Sequence, residues 1–88
     1  MVRGAGDDVI ARAKRGDEAA WAELYGDHAT HLVRWLSYLD HPGAATDVEG
    51  VAAEAWFTAA RQVADFSGDR REFGGWLFGI ARDISLHR

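Results

Sequence analysis

The sequence predicts an all-α fold, a compact bundle of about four helices in a single domain. Apolar residues recur at three- and four-residue spacing, strand signals are nearly absent, and proline occurs once, at Pro42. The 88-residue length suffices for one modest core. The composition, 48% hydrophobic and 27% charged, is that of an ordinary globular chain.

The first helix is short and lies near the N-terminus. It is predicted from Val9 to Arg15, with Asp7 or Asp8 as its N-cap and Gly16 at its end. We therefore divide the chain into an N-terminal extension with one short helix, residues 1–16, and a main helical domain, residues 17–88.

The second helix is expected to be capped by Asp17 and to end near LDHPG, where Pro42 and Gly43 interrupt the pattern. Its spacing predicts an apolar face of Trp21, Leu24, Tyr25, Leu32, Trp35, Leu36 and Leu39.

The third helix is predicted to start at Thr46, whose hydroxyl would cap it while Glu49 reaches back, as in a capping box. Its core-facing residues would form a narrow stripe of mostly small side chains, Val51, Ala52, Ala55, Ala59 and Val63. A polar loop, DFSGDRRE, would then connect it to the last helix.

The fourth helix is predicted from Phe73 to His87. Its buried face would comprise Trp76, Leu77, Ile80, Ala81 and Ile84. The same segment contains Gly74, Gly75 and Gly79, and each glycine costs a helix interior up to about 1 kcal/mol relative to alanine. Either these glycines let the backbone approach a strand or partner closely, or they mark a weakened binding surface.

The charge balance limits the possible partners. The net charge is −4; residues 1–50 hold five Lys/Arg and nine Asp/Glu, and residues 51–88 hold five of each. Proteins that grip duplex DNA through many phosphates are normally basic, so any nucleic-acid contact would be local or would depend on a partner for positive charge. The absence of cysteine fits a reducing compartment, and no segment resembles a membrane span or signal peptide, so we expect a cytoplasmic protein.

An enzyme is not expected. His28 and His31 could bind a metal only if further ligands converged on them, and the chain has neither cysteine nor a His-Glu-x-x-His motif. The pair Gly74-Gly75 lacks the Lys and Ser/Thr of a phosphate-binding loop. We therefore predict no catalytic residue, no metal and no cofactor.

Aromatic and basic residues are interleaved near the end of the chain. They are Phe66, Phe73, Trp76 and Phe78 with Arg70, Arg71, Arg82 and Arg88. Arginine beside exposed aromatic rings is the chemistry that binds unstacked bases and phosphates. Aromatic residues at helical spacing also fill cores, so both interpretations of Trp76 stay open.

Three segments resemble region 2 of bacterial sigma factors of the extracytoplasmic-function (ECF) group. They are DEAAWAELYGDHATHLVRWLSYL, TDVEGVAAEAWFTAARQV and DFSGDRREFGGWLFGIARDISLHR. The third is the most specific, because its aromatic spacing and its Ile-Ala-Arg triplet coincide with the pattern of the group.

The resemblance implies a transcription initiation factor domain that binds core RNA polymerase and recognises and melts the promoter −10 element. The positions matching contacts with the non-template strand are Phe66, Ser67, Gly68, Asp69, Arg70, Arg71, Phe73, Trp76, Arg82 and Arg88. The positions matching contacts with the polymerase clamp helices are Glu49, Val51, Glu54, Phe57 and Arg61. A loop that holds a flipped base would need arginines free of internal ion pairs.

The chain departs from the pattern of the group at Gly50 and Ala53, where Asp and Gln are usual, and at Gly74, Gly79 and Asp83. These changes remove hydrogen-bonding groups and add a carboxylate, so weaker contacts with polymerase and DNA are one expectation. Members of the group also carry a helix-turn-helix domain, which these 88 residues do not include. The chain is then either part of a longer protein or a naturally short one.

A second function is a protein-interaction module with weak DNA binding. Trp35, Trp56 and Phe57 offer more aromatic surface than so small a core requires, and aromatic residues dominate interface energetics. On this alternative the second and third helices bind an anti-sigma factor or another helix.

Overall fold

The computed structural model describes residues 8–38 and 47–87. Its elements are α1 (Val9–Lys14), α2 (Glu18–Tyr38), α3 (Val48–Gln62), a 3₁₀ turn (Val63–Asp65) and α4 (Arg70–Leu86). Within these ranges there are four α-helices and no strand. The predicted all-α bundle is confirmed.

The start of the described chain agrees with the capping residues that the sequence predicts. The Asp8 side chain accepts a hydrogen bond from the backbone N–H of Ala11 at 3.1 Å and caps α1. Gly16, which follows α1, has a φ of +85°, a left-handed conformation that glycine adopts without strain. The Asp17 side chain accepts from the N–H of Ala19 at 2.9 Å at the start of α2.

The predicted cap of α3 is wrong by one residue. Asp47, not Thr46, is the N-cap, and its Oδ1 accepts from the N–H of Gly50 at 3.1 Å. Thr46 itself lies outside the described residues. Both residue types cap helices well, which is why the spacing alone pointed to the wrong one.

The predicted start of α4 is also wrong. Asp69 is the N-cap, and it forms a complete capping box with Glu72: each side chain accepts from the other residue's backbone N–H at 2.8 Å. The helix therefore begins at Arg70 rather than at Phe73 and ends at Leu86, with His87 at its C-cap. The connection after the 3₁₀ turn is only residues 66–69.

The core lies between α1, α2, α3 and α4. All five members of the predicted stripe are buried, four of them in α3 and Val63 in the 3₁₀ turn that follows. Leu24, Leu32 and Leu36 of α2 are buried as predicted. In α4 the buried apolar residues are Phe73, Leu77 and Ala81, while Trp76, Ile80 and Ile84 are half-buried around them.

Two details of the core differ from the sequence prediction or extend it. Tyr25 is 57% exposed, so its assignment to the apolar face of α2 is wrong. Val9, Ile10 and Ala13 of α1 belong to the same core as the later helices. Leu39, the last predicted member of the α2 face, lies outside the described residues.

The crossing of α2 and α4 explains one of the three glycines. A Cβ at Gly74 would lie 2.9 Å from Cε1 and from Nδ1 of the His28 ring. His28 Nε2 also lies 3.2 Å from the Arg70 carbonyl oxygen, and the ring packs against Phe73 with centroids 5.8 Å apart. Gly74 is therefore needed to seat an imidazole between the two helices.

Candidate nucleic-acid interface

The connection before α4 folds onto the core rather than away from it. Phe66 is 6% exposed and Phe73 is fully buried, with ring centroids 5.8 Å apart in an edge-to-face arrangement. A Cβ at Gly68 would lie 2.7 Å from Cζ of Phe66, so the backbone closes over this ring. Neither phenyl ring is an exposed platform for stacking a base.

Trp76 lies at the edge of this aromatic cluster. Its ring centroid is 4.8 Å from that of Phe66 and 5.5 Å from that of Phe73, and the side chain is half-buried. The indole thus contributes to packing and keeps an accessible part, so both sequence interpretations of Trp76 stand.

The polar residues of the connection divide into two kinds. Ser67 and Gly68 are exposed and open to a partner. Asp69 is also exposed, but its carboxylate accepts from the backbone of Glu72. Asp69 thus has a structural role at the start of α4 whether or not it also approaches a nucleic acid.

Arg70 is held by carboxylates of α2. Its Nε and Nη2 donate to the two carboxylate oxygens of Asp27 at 2.5 and 3.3 Å, and its Nη1 lies 3.4 Å from Glu23 Oε1. The hydrogen bond from the guanidinium lowers the pKa of the Asp27 carboxyl below its ordinary value. Arg70 is therefore engaged in internal ion pairs, contrary to what a phosphate contact requires.

Arg71 and Arg82 are the exposed arginines of α4 in the described chain, and neither forms an ion pair with another described residue. They are eleven residues apart, close to three helical turns, so they project from one side of α4 about 16 Å apart along its axis. Gly75 and Gly79 lie between them on the same side, and a Cβ built at either would meet nothing within 4 Å beyond the adjacent residues and the backbone of α4 itself. Arg88 lies outside the described residues.

The residues matched to polymerase contacts lie on α3. Glu49, Glu54, Phe57 and Arg61 are exposed, whereas Val51 is buried. Phe57 is 63% exposed, and the Arg61 guanidinium carbon lies 5.0 Å from its ring centroid, a cation–π contact. Four of the five positions can reach a partner, and Val51 can act only by supporting the helix.

An open groove of about 540 Å³ runs between α2 and α3. It is lined mainly by apolar side chains, Tyr25, Ala29, Val33, Ala52, Ala53 and Trp56, with Glu49 as its charged member. The Tyr25 and Trp56 rings pack at 5.1 Å between centroids.

The candidate metal ligands of α2 do not form a site. His28 packs between α2 and α4, while His31 is exposed. In the described part of the chain no group of three or more His, Cys, Asp or Glu residues could hold a metal ion.

A comparison with known proteins supports the resemblance to ECF sigma factors. The chain is 29% identical over 77 residues to the ECF RNA polymerase sigma factor BldN of Streptomyces coelicolor. Over most of its length the chain is therefore similar to an ECF sigma factor. The match covers 88% of this chain and 28% of the relative, so the chain spans less than a third of the length of that sigma factor. No family model and no solved structure matches the chain.

The sequence did not predict which residues of α2 contact α4. Glu23, Asp27 and His28 contact the first turn of α4, but none was among the predicted DNA or polymerase contacts. The spacing of Glu23 and Asp27, one helical turn apart, was the available signal.

None of the described helices is long and apolar enough to cross a membrane.

Proposed function

We propose that the chain is the promoter-recognition domain of a sigma factor, which binds core RNA polymerase and the non-template strand of the −10 element. The similarity to an RNA polymerase sigma factor supports the class of function. The observation that carries the DNA part is the strip on α4 in which Arg71 and Arg82 flank two glycines, hereafter the α4 strip. On this proposal the domain works in the bacterial cytoplasm.

The α4 strip suits a single strand for two reasons. Its arginines supply cations that can bind phosphates. Between them, Gly75 and Gly79 present backbone without side chains, so a sugar-phosphate chain can approach closely. Trp76 and the exposed Ser67 and Gly68 would then border the strand near the start of α4.

The proposal assigns new roles to several predicted DNA contacts. Phe66 and Phe73 would form the floor beneath the strand rather than stack on bases, because their rings are buried. Asp69 would fix the start of α4 through its capping box. Arg71 and Arg82 would make the phosphate contacts.

Binding to a labelled single-stranded AT-rich oligonucleotide, followed by fluorescence anisotropy at several salt concentrations, tests this assignment. Arg71→Ala and Arg82→Ala should each weaken binding and reduce the slope of log K against log salt by about 0.7, the value for one phosphate contact on a single strand. Arg34→Ala, an equal change of charge on an exposed residue of α2, is the control.

Three results would refute the DNA part of the proposal. They are no measurable binding by the unmodified domain, preference for the duplex of the same sequence, or equal effects of Arg34→Ala and Arg71→Ala.

The polymerase part of the proposal rests on the exposed face of α3. Glu54, Phe57 and Arg61 project from one side of the helix, and the cation–π contact pre-orders Arg61 against the ring. Phe57→Ala should reduce capture of core RNA polymerase about tenfold, since exposed aromatic anchors contribute most to interfaces. Tyr38→Ala, which removes another exposed aromatic on α2, should leave capture unchanged.

The position of Gly50 affects how a gain of polymerase binding can be tested. A Cβ at Gly50 would clash with the Asp47 carboxylate that caps α3. Gly50→Asp would therefore add a side chain for polymerase and disturb the cap of α3 at the same time, so the two effects on capture could not be separated. Ala53→Gln, at an exposed position, introduces the glutamine that is usual in ECF sigma factors without causing this clash. It should strengthen the capture of core RNA polymerase.

The groove between α2 and α3 favours a second candidate function, the binding of an apolar helix from an anti-sigma factor or another partner. Its apolar lining and the exposed Tyr25 beside Trp56 support this alternative. Ala29→Glu would place a charge in the groove and block such a partner. Binding through the groove should hardly change with salt, in contrast to binding of the oligonucleotide.

A further inference from the structure

We infer that Arg70 and Glu23 are positioning residues, which join α1, α2 and the first turn of α4 into one unit and thereby set the start of the α4 strip. The inference rests on the proposed DNA binding for its functional consequence. It also gives α1 a role in that function, although the resemblance to sigma factors began only at Asp17.

Arg70 lies at the start of α4. It is the first residue of the helix, directly after the N-cap Asp69 and directly before Arg71. Its side chain binds Asp27 through two donors and Glu23 through a third, and its carbonyl oxygen lies 3.2 Å from His28 Nε2. The first turn of α4 is thus attached to α2 by both side chain and backbone.

Glu23 is shared between Arg70 of α4 and Arg12 of α1. One of its oxygens lies 3.4 Å from Arg70 Nη1, and the other accepts from Arg12 Nη2 at 2.9 Å. Arg12 also lies 3.4 Å from Asp17. A single carboxylate therefore bridges the guanidinium groups of α1 and α4. Its hydrogen bond raises the pKa of Arg12 and orients the Arg12 side chain.

The stability of α1 depends on this network and on packing. A helix of six residues is not stable by itself in water. Burial of Val9, Ile10 and Ala13 and the hydrogen bond from Trp21 Nε1 to the Ala13 carbonyl at 3.0 Å hold it in place. The Trp21 ring in turn packs edge-on to Phe73 of α4 at 6.0 Å. Contacts from α1 thus reach α4 by a polar route and an apolar route.

The chemistry of the Arg70 contacts separates positioning from direct phosphate binding. Three N–H groups of a planar guanidinium reach two carboxylates, an arrangement that the single ammonium of lysine cannot reproduce. A phosphate contact, in contrast, requires mainly a positive charge, which lysine keeps. Arg70→Lys and Arg71→Lys therefore form a matched pair with no change of net charge.

The first measurement uses the free domain and amide hydrogen exchange. Arg70→Lys and Glu23→Gln should each accelerate exchange about fivefold in residues 66–72 and, for Glu23→Gln, also in α1, because local opening becomes cheaper. Glu18→Gln removes an exposed carboxylate of α2 and is the control for charge. Unchanged exchange in both test variants would overturn the inference, whatever the domain binds.

The second measurement is oligonucleotide binding under the conditions used for the α4 strip. Arg70→Lys should weaken binding about fivefold with an unchanged salt slope, while Arg71→Lys should stay within about twofold of the unmodified domain. Equal behaviour of the two lysine variants would overturn the positioning role. If the unmodified domain binds no DNA while exchange responds as expected, the proposed function fails and the structural role of Arg70 and Glu23 stands.

Discussion

Replacing the glycines of α4 by alanine tests the packing of α2 against α4 directly. At Gly75 and Gly79 a new Cβ meets nothing within 4 Å beyond the adjacent residues and the backbone of α4 itself, so only the helix propensity changes. Each of these two substitutions should stabilise the domain by about 1 kcal/mol. In a domain of this size that gain corresponds to a rise in Tm of about 4–8 °C.

At Gly74 the same substitution should bring no gain in stability. The new Cβ would lie 2.9 Å from two atoms of the His28 ring, which is held by the Arg70 carbonyl and by Phe73. Displacing the ring costs about 1–3 kcal/mol, the usual range for overpacking. After the propensity gain of about 1 kcal/mol, Gly74→Ala should be neutral to destabilising by about 2 kcal/mol.

The assay is thermal and urea unfolding monitored by circular dichroism, arranged as a double-mutant cycle. His28→Ala removes the ring, so Gly74→Ala on that background should stabilise by about 1 kcal/mol, like Gly79→Ala. Gly74→Ala should therefore be about 1–3 kcal/mol more favourable on the His28→Ala background than in the presence of the ring. A stabilising effect of Gly74→Ala in the presence of His28 would refute the close approach of the two helices.

Two further predictions concern polar contacts at the helix starts. Asp69→Ala removes the cap of α4 and should lower the free energy of unfolding by about 1 kcal/mol, measured by urea unfolding; Asp69→Asn, which retains an acceptor, should restore most of it. Arg70 lowers the pKa of Asp27. The ion pair therefore contributes its full stabilisation of the domain above the carboxyl pKa of the unfolded chain, about 3.9, and this contribution is lost as the pH falls through the lower pKa of the folded domain. Asp27→Asn should thus destabilise the domain at pH 7 and have little effect at a pH below the folded pKa, and an equal effect at both pH values would contradict this linkage.

Local patterns in the sequence were sufficient for the helices and most of the core. The narrow stripe of α3 was predicted residue by residue, because a period of 3.6 and small side chains leave few alternatives. The start of α4 was missed although Asp69 and Glu72 have the spacing of a capping box. Consecutive charged residues are typical of a solvated loop, so the sequence pattern favoured a loop where the cap and the first turn of α4 lie.

The partners of individual side chains could not be predicted in the same way. Arg70 lies 43 residues after Asp27, and nothing in the local pattern indicates whether a guanidinium will face a carboxylate or a phosphate. The helical period of α2 also could not show that His28 would pack against α4, because this contact depends on Gly74, a residue of another helix.

The capping box at the start of α4 restricts the direction from which an anion can approach. Helix N-termini commonly receive phosphates through their free amides, but here the Asp69 carboxylate already accepts from the Glu72 amide. A phosphate arriving end-on would meet a like charge. A polynucleotide would therefore lie along the side of this helix. The 5′-to-3′ direction of the strand would then depend on contacts along that side and not on the helix N-terminus.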